Sequence, residues 1–160
     1  MTDDPQASRS AEDRVADLGI ELPEPPKPVA SYIPAVRSGN LVYISGQIPM
    51  VDGTPMARGL VPSEVTEERA RECARICAIN ALAVLREQVG SLDNVTRIVR
   101  LGVFVASDVD YTGHPKVANG ASELMQEVFG EAGRHARAAV GCAALPLGVP
   151  VEVEVIAEVR

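Results

Sequence analysis

The period of the apolar residues changes along the chain, and each change predicts an element. In SAEDRVADLGI (10–20), Val15 and Leu18 lie three apart behind a Ser10 cap and an acidic first turn, the pattern of a short helix. ELPEPPKP follows, with four prolines in eight residues, and predicts an extended connector. From Tyr32 the period shortens. IPAVRSGNLVYISGQIPM predicts two strands about a turn at Ser38-Gly39-Asn40, with Leu41–Ile48 the more regular. VDGTPMARGLVPS is turn-rich with room for a short strand. Thr66 then opens a helix to about Val89, on which Ala70, Cys73, Cys77, Ala81 and Val84 form an apolar stripe. Glu67, Glu68, Glu72 and Arg75 lie toward its polar side, and Gly90 stops it.

SLDNV reads as a short turn and TRIVRLGVFVAS as the strongest strand. HPKVANGASELMQEVFG is a second long helix, with Val117, Leu124 and Val128 turned inward and His114 at its entry. Two strands close the chain, Ala136–Leu145 and Val151–Val159, joined at PLGVP. The order β-β-α-β-α-β-β, without repeats, predicts an α+β domain: a mixed sheet with two helices packed on one face. The opposite face is also apolar and lacks a helix, so self-association as a trimer or similar ring is expected to cover it.

Composition narrows this picture. The 160 residues suit one domain with its own core, and with 3% aromatics and no Trp that core must be aliphatic. A net charge of −7 without a Lys/Arg cluster argues against a nucleic-acid surface, although a local basic pocket is compatible with it. No apolar window is long enough for a membrane span, and MTDDPQASRSAEDR lacks the basic start and apolar run of a secretory signal, so the cytoplasm is the expected compartment. Residues 1–10 are polar and expected to fray. Cys73, Cys77 and Cys142 form no paired framework. Cys73 and Cys77, one helical turn apart, are spaced for two metal ligands, but without further ligands nearby they read as buried thiols, and no metal is expected.

The candidate chemistry lies in the last two strands. RHARAAVGCAALPLGVPVEVEV is β-prone, yet it carries Arg137 in one half and Glu152 and Glu154 in the other. By spacing alone, Arg137 and Glu152 fit either an interstrand ion pair or a small-molecule site. Glu152 and Glu154 point the same way along a strand, and one of them can simply face solvent near an edge. His135 reads as a capping or packing residue.

GNLVYISGQIP (39–49), RHARAAVGCAALPLGVPVEVEVIA (134–157) and the element order resemble the RidA (YjgF, or L-PSP) family over about residues 30–160, in a divergent branch. Residues 1–30 then form an N-terminal extension, with the short helix and proline-rich connector, ahead of a RidA-like domain at 31–160. The resemblance implies a chorismate-mutase-like fold, a homotrimer with ligand sites between subunits, and hydrolysis of reactive enamines and 2-imino acids to 2-keto acids and ammonia. It places the family's carboxylate-binding arginine on Arg137 and its water-positioning glutamate on Glu152. Tyr32, Ser45, Gly46 and, by a looser alignment, Asn119 would complete the pocket, which is expected to be a shared crevice at a protomer junction.

That chemistry suits those residues. A guanidinium grips a carboxylate with two parallel charge-assisted bonds. A carboxylate beside the C=N can hold water and act as general base. No cofactor is required, because a protonated imine is already electrophilic. Where many deaminases of the family carry Ser and then Cys or Thr after the arginine, this chain has Ala138 and Ala139. That loss leaves open a second reading, a non-catalytic trimeric binder or sensor of small carboxylates. A third, the ribonuclease of the family's older name, is disfavoured by the acidic surface and the lack of a His/His/Lys set.

Overall fold

The computed structural model describes residues 9–27 and 31–160. It runs α1 (Ala11–Asp17), β1 (Ala35–Ser38), β2 (Leu41–Gln47), a small hairpin of β3 (Met50–Val51) and β4 (Thr54–Pro55), and α2 (Glu67–Val89). Then come β5 (Val95–Ala106), α3 (His114–Phe129), β6 (Ala136–Cys142) and β7 (Val151–Val159). The fraying expected at the start concerns mainly residues 1–8, and the end of the proline-rich connector is at 28–30; both lie outside the described residues.

The helix ends follow local chemistry. Ser10 Oγ accepts from the Asp13 amide while the Asp13 carboxylate accepts from the Ser10 amide, a reciprocal cap on α1. Thr66 caps α2 by accepting from the Arg69 amide, and Gly90, at φ 83°, ends it in a conformation that favours glycine. Pro115 sits in the first turn of α3, where its missing N–H costs no helical bond.

Five strands form one sheet in the order β1-β2-β7-β5-β6. All neighbours are antiparallel except β5 and β6, which α3 joins as a parallel pair. β7 is therefore central, not near an edge. β6 is shorter than its apolar run suggests and stops at Cys142 rather than Leu145. The reason is its neighbour: Cys142 O accepts from the Ser107 amide just as β5 has ended, so Ala143–Leu145 have no strand to pair with.

Strand alternation sorts β7 into two faces. Val151, Val153, Val155, Ala157 and Val159 are buried beneath the helices, together with Leu82 and Leu85 of α2 and Leu124 and Met125 of α3. Small residues let α2 and α3 approach closely. A Cβ on Gly120 would stand 2.0 Å from the Arg71 carbonyl oxygen, so nothing larger fits there without moving a backbone. Arg71–Glu123 and Arg75–Glu127 ion pairs flank that crossing. α1 is a third, outer helix packed on α3, and its Glu12 carboxylate accepts from the Leu92 amide and pairs with Arg86. Cys73 and Cys77 are fully buried packing thiols. Burial pushes both up in pKa, Cys73 to about 11.

The other face of the sheet is bare of helices among the described residues. Val36, Tyr43 and Val140 stand on it about half exposed. No described helix is long and apolar enough to cross a membrane.

Candidate functional site

Arg137 occupies the edge strand β6. It pairs in register with Leu101 of the core, so its side chain leaves the sheet on the helix-covered side and meets α3. Both hydrogens of Nη1 are used: one bond goes to Asn119 Oδ1 (2.8 Å), the other to Ser122 Oγ (3.1 Å). Asn119 and Ser122 lie one helical turn apart and so project together. Among the described residues neither Nε nor Nη2 has a protein partner. These two nitrogens form the side edge of the guanidinium, the edge that takes a carboxylate through two parallel bonds. Arg137 also lines a cavity of about 230 Å³ together with Asn119, Ser122, Gln126, Arg134 and His135.

Glu152 stands on the opposite, bare face. β2 bulges between Ile44 and Gln47, and Gly46 in that bulge lies directly beneath the carboxylate. A Cβ at position 46 would be 2.0 Å from Glu152 Oε1, so any larger residue there would displace the carboxylate. Gly102 does the same for Glu154, where a Cβ would come within 2.5 Å of Oε1. The two acids point the same way, as strand alternation requires, but Glu154 is paired with Arg100 at 3.0 Å rather than idle in solvent. Burial, and secondarily the Glu154 charge, hold the Glu152 carboxyl above the usual carboxylate range. The Cys142 thiol, facing the same side, is raised by burial and then by Glu152.

Ser45 ties the bulge to the segment before β1. Its Oγ donates to Ile33 O (2.8 Å) and its amide donates to Pro34 O (2.9 Å), and the exposed Tyr32 directly precedes that tied segment. The six predicted site residues thus form two groups: Arg137 with Asn119 on one side, and Glu152 with Gly46, Ser45 and the Tyr32 segment on the other. In register, Arg137 lies level with Leu101 and Glu152 with Phe104, three residues along and two strands across. That is about 10 Å in each direction, on opposite faces of the sheet. An Arg137–Glu152 ion pair within one chain is thereby excluded, and a crevice containing both requires a second copy of the chain.

Ala138 and Ala139 also part company: Ala138 is level with Gly102 on the bare face, whereas Ala139 packs against the core. His114 enters α3 as expected, with its Nε2 3.0 Å from Ser107 Oγ and its ring edge-on to Tyr111. The sequence reading missed Ser122 and understated His135. His135 Nδ1 is 2.6 Å from Gly133 O, and its Nε2 is 2.9 Å from Ser122 Oγ. The available signal was the Asn119/Ser122 spacing and the place of His135 two residues before Arg137.

Residues 12–159 match the family described as "YjgF/chorismate_mutase-like, putative endoribonuclease". Protein TCP17 of Trypanosoma cruzi is 42% identical, over 89% of this chain and 90% of its own length. A 2-iminobutanoate/2-iminopropanoate deaminase of Dermatophagoides farinae is 31% identical, over 86% of this chain and 92% of its own. Among solved structures, Atu1372 of Agrobacterium tumefaciens, of unknown function, superposes with a TM-score of 0.88 at 42% identity, covering 94% of this chain and 92% of that one. TdcF of Escherichia coli, solved with bound serine, gives 0.62 at 27% identity, covering 86% and 94%.

Proposed function

The chain belongs to the YjgF/chorismate-mutase-like family, and from that premise we propose that it hydrolyses small 2-imino acids and their enamine tautomers. The products are a 2-keto acid and ammonia, and the site lies between protomers of a homotrimer. The observation that carries this reading is the Nε/Nη2 edge of Arg137, unpartnered among the described residues while Asn119 and Ser122 hold Nη1 beside a cavity. The serine bound to TdcF is a small amino carboxylate of the kind such an edge takes.

In this reading, Arg137 of one protomer binds the substrate carboxylate and fixes the adjacent C=N. Glu152 of a neighbouring protomer accepts a proton from water as the oxygen attacks the imine carbon, then returns it to the leaving nitrogen. One water enters and one ammonia leaves, so no electrons are exchanged and no cofactor is called for. A carboxyl with a raised pKa suits both halves of that proton transfer. The apolar Val36, Tyr43 and Val140 on the Glu152 face would be covered by the neighbouring copies.

The test mixes the protein with an amino-acid oxidase that releases 2-iminobutanoate and follows 2-oxobutanoate formation. Acceleration is expected from the native protein. Arg137→Ala is expected to abolish it, while Glu152→Gln should retain 2-oxobutanoate binding and lose at least about a hundredfold in rate. Binding without acceleration across several imines would favour the second reading, a sensor of small carboxylates. The loss of polar side chains at Ala138 and Ala139 is the feature that supports that alternative, with Ala138 on the bare face level with Gly102 and Glu154.

A further inference from the structure

We propose that His135, acting through Ser122, is the positioning residue that aims Arg137 at its ligand. The inference rests on the reading of Arg137 as a carboxylate fork and adds a residue which that reading does not contain.

The direction of each hydrogen bond can be worked out. Gly133 O can only accept, so His135 Nδ1 carries a hydrogen and donates across 2.6 Å. In the neutral ring Nε2 is then an acceptor, and among the described residues it meets the Ser122 hydroxyl, at 2.9 Å. A hydroxyl has one hydrogen. Once it is committed to His135, the oxygen turns its lone pairs toward Arg137 Nη1 at 3.1 Å. Asn119 Oδ1 holds the second Nη1 hydrogen at 2.8 Å. Two fixed acceptors on one nitrogen define the guanidinium plane and leave the Nε/Nη2 edge without a partner among the described residues.

The chain of donors is sheltered. Ser122 is 7% exposed and His135, which lines the same cavity, is half-buried. Remove the imidazole and the hydroxyl can rotate, compete for Asn119 Oδ1 and release Nη1. Protonate it, and Nε2 becomes a donor; Ser122 Oγ must then accept from two cations at once. The charged groups around His135 favour the neutral ring. Arg137 lies two residues on, in β6, Arg134 and Arg97 line the cavities it borders, and Glu131 faces Arg134 at 3.4 Å. The residues of α3 toward it, Ser122 and Gln126, are uncharged. Burial first, and Arg137 after it, hold the imidazole below its ordinary pKa against the opposing pull of Gly133 O.

Two measurements test this. Calorimetric titration with 2-oxobutanoate should show His135→Ala and Ser122→Ala binding about three- to tenfold more weakly, while His135→Gln, whose amide oxygen can accept from Ser122, stays within about twofold of native. Native affinity should fall only as pH drops below the ordinary imidazole range, and that fall should vanish in His135→Gln. Nitrogen-15 NMR of the unliganded protein should show resolved, slowly rotating Arg137 Nη signals in native protein and His135→Gln, and averaged signals in His135→Ala. If His135→Ala matches native protein in both Nη rotation and affinity, the inference is overturned. If no variant, nor the native protein, binds 2-oxobutanoate, the fork reading falls, and the Nη signals alone still decide whether His135 holds Arg137.

Discussion

One strand shows both characters of the molecule. On the helix-covered side of β7, Val151, Val153, Val155, Ala157 and Val159 are at most 2% exposed; on the other side the same nine residues present Glu152, Glu154, Ile156 and Glu158. The covered face is finished within the chain: aliphatic side chains fill it, and the small residues of α2 and α3 close the layer above. The bare face combines half-exposed apolar residues with carboxylates resting on glycines. Burying carboxylates there without partners would be costly, so such a surface suits a wet cleft between copies better than a dry core. The difference teaches that packing fixes Arg137 from the covered side, whereas Glu152 depends on the absence of side chains beneath it.

The sharpest way to break that comparison is to damage each face and measure stability. Leu82, fully buried on the inner face of α2, should cost about 2–5 kcal/mol on truncation in Leu82→Ala, through lost transfer energy and the cavity left behind. Val140→Ser on the bare face should cost the isolated chain under about 0.5 kcal/mol while weakening self-association seen by sedimentation. Equal unfolding costs would mean that both faces are equally finished.

Next in size is Gly46→Ala. The new methyl would fall on Glu152 Oε1, so the carboxylate must move. The predicted result is a roughly 10- to 100-fold loss of imine hydrolysis, with 2-oxobutanoate affinity kept, because Arg137 lies on the other face. An affinity loss equal to the rate loss would contradict the division of labour. Smaller again is Ser10→Ala, which removes one half of the α1 cap and should cost about 1 kcal/mol in denaturant melts, with hydrolysis unchanged.

These two faces were unequally legible in the sequence. The covered side is local: Thr66 and Gly90 bracket α2, and the apolar stripe from Ala70 to Val84 turns inward as its spacing requires. The family string around SGQIP and the paired VEVE acids located the candidate residues. What the chain could not convey locally is that β5 inserts between β6 and β7, which sets Arg137 and Glu152 two strands apart, and that the registers turn them to opposite faces although only fifteen positions separate them. The end of β6 at Cys142 is likewise decided by where β5 stops, not by the apolar run AALP. Gly102 was unreadable for the same reason, since its role depends on a carboxylate 52 positions away across a strand pair.

The finest test concerns the two acids themselves. Glu152 is held above the ordinary carboxylate range first by burial and only second by Glu154, so Glu154→Gln removes the lesser cause and its pKa should fall without returning to normal. The sign of the stability effect follows. A carboxyl whose folded pKa is raised contributes stability that is intact below its unfolded value and is lost as pH rises through the folded one. Above the unfolded carboxyl range, native protein should therefore lose more unfolding free energy with rising pH than Glu154→Gln does. The variant also loses the exposed Arg100 pair, worth at most about 1 kcal/mol; this offset is nearly constant once Glu154 is ionised. Carbon-13 titration of the Glu152 carboxyl reads the shift directly, and the acidic limb of kcat/KM should move down with it, because the base ionises at lower pH. A Glu152 titration unchanged in Glu154→Gln would mean that Arg100 already cancels the neighbouring charge, leaving burial on the bare face as the sole cause.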